Sequence, residues 1–180
     1  MAASRIPTKQ YDSEHFVEAA GAVIFYPDTR RICLVYLKRS GEWFLPKGRR
    51  NHGGSRAEAA LREATEETGV PCRLLPVRSK TRAPPAFEPY GGVNSPNVVR
   101  VEECSTEPFM VTVRQFNSHG QQMKLIWWYV AEVDKMGTFE LPEAQFHVEL
   151  FTFDQAIQML TYQSDREVVE RAIKLFYGEI

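Results

Sequence analysis

Apolar, β-branched and aromatic residues crowd the chain from Val17 to Tyr26 and again from Ile32 to Leu37, with Pro27-Asp28-Thr29-Arg30 between them. Runs of this kind bounded by turn residues predict two strands joined as a hairpin. After Trp43-Phe44-Leu45 the pattern turns basic and glycine-rich, which predicts a loop from Pro46 to Gly54. Ser55 with Glu58 three residues on is a capping box, and Gly69 is a C-terminal stop, so a helix lies between them. Ala57, Ala60, Leu61 and Ala64 give that helix a face of mostly small residues, suited to close packing on a sheet. Strands follow at Val70–Val77, Phe109–Gln115 and Met123–Val133, the last two joined across Asn117-Ser118-His119-Gly120. Thr152 with Gln155 and Ser164 with Glu167 predict the starts of two final helices. Val168, Val169, Ala172, Ile173, Leu175 and Phe176 supply the apolar face of the second.

Between these elements, Ser79–Pro108 shows no sustained periodicity. It holds Pro84, Pro85, Pro89, Pro96 and Pro108 with Gly91-Gly92, and it reads as a mobile insertion rather than a functional flap. Residues 1–15 are polar and read as a flexible arm. The expectation is one mixed α/β domain over residues 16–180, interrupted at 79–108, with no internal repeat.

Composition narrows the class. A chain of 180 residues with 43% hydrophobic and 25% charged residues is an ordinary single domain. A formal charge of −1 gives no bulk attraction to nucleic acid or anionic lipid. The longest apolar runs, Ala19–Tyr26 and Leu125–Ala131, fall far short of the roughly 20 residues that span a bilayer. The first residues lack the apolar core of a secretory signal. Cys33, Cys72 and Cys104 are widely spaced, odd in number and form no CxxC. They suit a reducing compartment, the cytoplasm or the nucleus, better than a disulfide or zinc framework.

Chemistry concentrates between Gly48 and Val70. On the predicted helix Glu63, Glu66 and Glu67 stand three and four residues apart, on one face. Three like charges there are costly unless a cation neutralises them. A plain solvated face with Glu58–Arg62 and Arg62–Glu66 pairs is one reading. A hard divalent ion held by oxygens, with waters and substrate phosphates completing its shell, is the other. The small opposite face and the glycine-rich segment just before the helix favour the ion.

These residues resemble the Nudix box, G-x5-E-x7-R-E-U-x-E-E-x-G-U with U a bulky aliphatic. Gly48, Arg62, Glu63, Glu66, Glu67, Gly69 and Val70 fall at its spacings, and the preceding WFLPKG is also similar. Ala64 stands at the first U, and Gly54 stands where the family has its first Glu. The resemblance implies an α/β/α sandwich with a mixed sheet, and hydrolysis of a phosphoanhydride by water with Mg²⁺, or Mn²⁺, as cofactor. By the same resemblance Glu63 and Glu67 are metal ligands with the Gly48 carbonyl, Glu66 is a third ligand or the general base, and Arg62 orients Glu63. Gly54 opens the alternative of a weakly active or purely binding member.

The near-zero net charge conceals a local excess. Lys38, Arg39, Lys47, Arg49 and Arg50 face only Glu42 between residues 38 and 50, a net of +4, while the rest of the chain carries 17 basic and 22 acidic residues. Such a cluster beside a metal site suits a small, densely phosphorylated substrate. Lys38, Arg39, Lys47 and Arg49 are the candidate phosphate contacts. The Pro46-Lys47-Gly48 tripeptide resembles members acting on diphosphoinositol polyphosphates and dinucleoside polyphosphates, with mRNA decapping a weaker third. A Walker A loop is excluded because Gly54 stands where its Lys would precede Ser55. Phe87, Tyr90, Trp127, Trp128 and Tyr129 are candidates to stack on an adenine, and Glu143 or Glu149 is a candidate remote ligand or base. His15, His52, His119 and His147 show no ligand spacing.

Overall fold

The computed structural model describes residues 6–84, 98–116 and 122–180. Its axis is β1 (Phe16–Tyr26), antiparallel to β2 (Arg31–Leu37) and parallel to β9 (Gln122–Val133). The main sheet runs β10 (Phe146–Thr152), β2, β1, β9, β5 (Cys72–Leu74). Beside that path β3 (Glu42–Phe44) pairs with β2, β4 (Lys47–Arg49) with β1, and β8 (Met110–Phe116) with β9. The β1–β9 pair is parallel and the other pairings are antiparallel, so the sheet is mixed.

Successive side chains of a strand face opposite sides, and β1 divides its residues accordingly. Ala20 and Ala22 face α1 (Arg56–Thr68), with Tyr129 and Ala131 beside them. Ala19, Val23 and Phe25 join Ile126, Trp128 and Val130 under α2 (Phe153–Met159) and α3 (Gln163–Phe176). The result is the sandwich of helices about a mixed sheet that the sequence implied. The predicted capping box closes α1: the Glu58 N–H donates to Ser55 Oγ at 3.1 Å and the Ser55 N–H to Glu58 Oε2 at 2.7 Å. Gly69 ends the helix in the left-handed region, φ 69°. Ala59, Ala60 and Ala64 are buried, so α1 lies close on the sheet and carries Glu63 and Glu67 to β4.

Four local expectations are corrected. Pro46–Gly54 is not loop throughout: Lys47–Arg49 forms β4 opposite Ala19–Gly21, secured by Ala22 N–H to Pro46 O at 3.2 Å and Arg50 N–H to Glu18 O at 3.0 Å. Val70–Val77 is not one strand, because β5 stops at Leu74 and Pro76 offers no N–H to a ladder. Val77 instead opens β6 (Val77–Thr81), which pairs with β7 (Arg100–Ser105) as a separate two-stranded sheet that extends into the segment 79–108. Ser164 is not a cap. Tyr162 precedes the first turn of α3 and its carbonyl accepts from the Asp165 and Arg166 N–H groups at 3.1 and 3.2 Å. The turn 117–120 and residues 85–97, with Phe87 and Tyr90, lie outside the described residues. No helix among the described residues is long and apolar enough to cross a membrane.

Candidate active site

Strand pairing places Gly48 opposite Ala20, on the face that α1 covers. A Cβ added to Gly48 would lie 1.7 Å from Glu63 Oε2 and 2.0 Å from Glu63 Cδ. The glycine therefore leaves the space that the Glu63 carboxylate fills. One turn along, Glu67 is only 9% exposed, and its Oε2 accepts the Lys47 N–H at 2.9 Å. Two acids of α1 thus dock directly on β4.

Burial pushes the Glu67 carboxyl up to about 7. The Lys47 ammonium and Lys47 N–H oppose that shift, while the charges of Glu63 and Glu143 add to it. Glu143 reaches this neighbourhood because its N–H donates to the Glu66 carbonyl at 3.1 Å. Glu149 sits elsewhere, in β10 opposite Leu34, 3.9 Å from His147. Arg62 donates to Glu63 Oε1 at 2.6 Å, to Glu66 Oε2 at 2.7 Å and to the Arg49 carbonyl at 2.8 Å. It joins α1 to β4 and holds Glu63 through Oε1, the oxygen farther from Gly48. Glu66 has a 45% exposed side chain held on this arginine. Glu58 is spent on the cap rather than on Arg62.

Among the described residues no three His, Cys, Asp or Glu side chains converge tightly enough to enclose a metal ion alone. The donor set nevertheless fits Mg²⁺, which takes one or two carboxylates and fills its shell with water and substrate phosphates. Glu67 is a buried oxygen donor whose charge burial disfavours, and the repulsion from Glu63 and Glu143 is what a cation would relieve.

The cations divide. Val17, Ala19 and Gly21 share the face of β1 away from α1. Ala19 and Gly21 lie opposite Arg49 and Lys47 on β4; Val17 lies opposite Lys124 on β9, which lies opposite Arg114 on β8. Four basic residues from three strands therefore flank a floor of small side chains. Burial holds the Lys124 ammonium below the usual lysine range, helped by Lys47, Arg114 and Arg49, and Glu63 opposes the shift. Lys124 and Arg114 are absent from the sequence reading, since only strand register brings them beside residues 47–49. Beyond Arg49 and Lys124 opens a cavity of about 440 Å³ with Phe16, Phe116 and Met123 in its wall. Lys38 donates to the Ala144 carbonyl at 2.8 Å, and Arg39 is exposed with its charge acting on Glu42. Neither joins the row on β4, β8 and β9.

The predicted stacking aromatics are engaged otherwise. Trp128 is fully buried and donates to Thr112 Oγ1 at 2.9 Å. Trp127 donates to Glu18 Oε1 at 3.0 Å and carries the Arg56 guanidinium 4.1 Å over its ring, and Tyr129 is buried under α1. Glu18 also binds Arg50, whose guanidinium reaches the Gly54 carbonyl at 2.9 Å. The loop lacking the first box Glu is thereby tied to β1 through another acid.

The structure thus sets an acidic helix against β4 of a mixed sheet, with basic residues on the adjoining strands. Residues 15–172 match the NUDIX domain, and the chain belongs to that family. An 8-oxo-(d)GTP phosphatase from Mycolicibacterium smegmatis is 26% identical over 173 residues, 90% of this chain. The match spans 43% of that relative, so the chain corresponds to less than half its length. Among solved structures, a C. elegans Ap4A hydrolase superposes with TM-score 0.56 at 16% identity, covering 91% of this chain and 99% of that one. The E. coli dihydroneopterin triphosphate pyrophosphohydrolase gives 0.55 at 14% identity, covering 91% and 97%. At these identities the structural likenesses speak for the fold.

Proposed function

We propose that the protein is a Mg²⁺-dependent pyrophosphohydrolase that cleaves a phosphoanhydride in a dinucleoside polyphosphate. The observation that carries this reading is the row of Lys47, Arg49, Lys124 and Arg114 on the face of the sheet away from α1, carried by the strand β4 on which Glu63 and Glu67 dock and adjoining a cavity with an aromatic wall. A run of phosphates suits the row, and a nucleoside end suits Phe16, Phe116 and Met123.

Glu63, Glu67 and the Gly48 carbonyl are the groups that would hold the metal. When bound, a divalent ion lowers the pKa of water and neutralises phosphate charge. Arg62 orients Glu63 through its 2.6 Å contact and keeps Glu66 beside it. Glu66 is the general base in this reading, taking the proton of the attacking water; the charge of Glu143 on Glu67 supports it as the second candidate. Lys47 and Arg49 bind substrate phosphates, and Lys124 extends that contact. Three free cysteines, one buried and one exposed, suit a reducing intracellular compartment.

Diphosphoinositol polyphosphates are the second reading, favoured by the density of cations alone. A panel of diadenosine tetra- and hexaphosphate, an inositol pyrophosphate, ADP-ribose, nucleoside triphosphates and capped RNA, assayed with Mg²⁺, separates them. The highest kcat/KM is expected on a dinucleoside polyphosphate. Phosphate release from none of them would leave the binding-module alternative raised by Gly54.

A further inference from the structure

The three-residue strip Leu45-Pro46-Lys47 is gripped by two buried carboxylates from opposite layers. From α1, Glu67 accepts the Lys47 N–H at 2.9 Å. From the other layer, Asp165 at the start of α3 is 1% exposed and sits against the Leu45 backbone N–H. Burial works against the Asp165 charge. The groups favouring it are the Lys47 ammonium first, then the Arg114 guanidinium, whose nitrogen is 3.8 Å from Oδ1, then the Leu45 N–H and the Ser164 hydroxyl. Asp165 Oδ2 has no hydrogen-bond partner.

A buried carboxylate with an unsatisfied oxygen lowers stability, and an apolar residue of similar size would commonly be neutral or better. The charge of Asp165 is therefore poorly explained by packing. It is explained by what it faces: Lys47 and Arg114, two of the four cations flanking β1. Lys47 is further bounded by the Phe44 ring, 4.5 Å from its ammonium.

We propose that Asp165 is a positioning residue, a buried anion in α3 that holds the side chains of Lys47 and Arg114 in place to receive substrate phosphates. It does not touch substrate; it acts through Arg114, 3.8 Å away, and through the charge it presents to Lys47. The inference rests on the reading of Lys47 as a phosphate contact.

The test is a double-mutant cycle on purified protein, using diadenosine tetraphosphate with Mg²⁺ and thermal melts of every variant. Asp165→Asn keeps volume and an acceptor for the Leu45 N–H while removing the charge. It is expected to raise KM about tenfold with kcat within about twofold, and to melt near wild type. Lys47→Met is expected to raise KM by at least as much, and adding Asp165→Asn to it should raise KM well under tenfold further, since only the hold on Arg114 is then left to lose. Multiplying effects, or an unchanged KM in Asp165→Asn, would overturn the positioning role while sparing the phosphate reading. An unchanged KM in Lys47→Met would overturn the phosphate reading itself. A measurement on wild type guards against a variant that fails to fold: an NMR contact between the Arg114 side chain and the Asp165 side chain is expected from their 3.8 Å separation, and its absence overturns the proposal.

Discussion

Gly48→Ala separates the demands of the fold from those of the site. Gly48 lies in β4 and does not use the left-handed region, so alanine suits its backbone and should add roughly 0.5–1 kcal/mol through lost unfolded-state freedom. The new Cβ would stand 1.7 Å from Glu63 Oε2, whereas ordinary contacts begin at roughly 3.4 Å. The Glu63 carboxylate must then retreat by about 1.7 Å, the shortfall between the two. It is the end of a flexible side chain, so the cost in stability is small and the backbone gain offsets it. The cost in rate is not small, because displacing a reacting group by about 1 Å can lose about 100-fold. Phosphate release with Mg²⁺ and thermal melting on the same preparation should show kcat down at least ~100-fold with an unchanged or higher Tm. A fully active Gly48→Ala protein, or one that fails to fold, would refute the reasoning.

Three further outcomes are expected. Because burial lifts Glu67 from an ordinary 4.5 to about 7, the native state holds its proton more tightly than the unfolded chain; this contribution to stability is full below pH 4.5 and lost as pH rises through about 7. In EDTA, the wild-type-minus-Glu67→Gln difference in unfolding free energy should fall by about 3 kcal/mol across that window, and a flat or rising difference would contradict it. Lys124→Gln should raise KM for diadenosine tetraphosphate about tenfold and leave kcat within about twofold; an equal loss in both parameters would assign Lys124 a different role. At Gly54 an added Cβ meets nothing closer than the Asn51 carbonyl at 3.5 Å, so Gly54→Glu should fold normally and raise turnover, whereas no gain would mean that Glu18 or another acid already serves.

Much of the site was legible because it is local. Ser55, Glu58 and Gly69 mark both ends of α1, and once the ends are known the 3.6-residue period fixes where Glu63 and Glu67 point. Lys47 and Arg49 follow because the basic segment that carries them lies just before that helix in the chain. Lys124 and Arg114 were illegible for the opposite reason. Each lies more than 60 residues from β4 in a strand whose own pattern is unremarkable, and only the parallel register of β1 on β9 brings them alongside. The same non-locality hid Asp165, whose burial is a property of packing rather than of α3. Short elements misled as well. Three residues, Lys47-Gly48-Arg49, make β4 because Pro46 O and Arg50 N–H bond β1, which glycine-rich composition conceals. The Ser164–Glu167 spacing matched a cap although the preceding Tyr162 carbonyl already starts the helix.

The central claim is that the acids of α1 drive metal-dependent attack of water on a phosphoanhydride. Its most direct test is diadenosine tetraphosphate cleavage in ¹⁸O-water across a Mg²⁺ titration, for wild type and Glu67→Gln. The account predicts Mg²⁺-dependent product with ¹⁸O on a phosphate, and a loss on the order of 100-fold or more in the folded variant. Equal, metal-independent release by both proteins would contradict it.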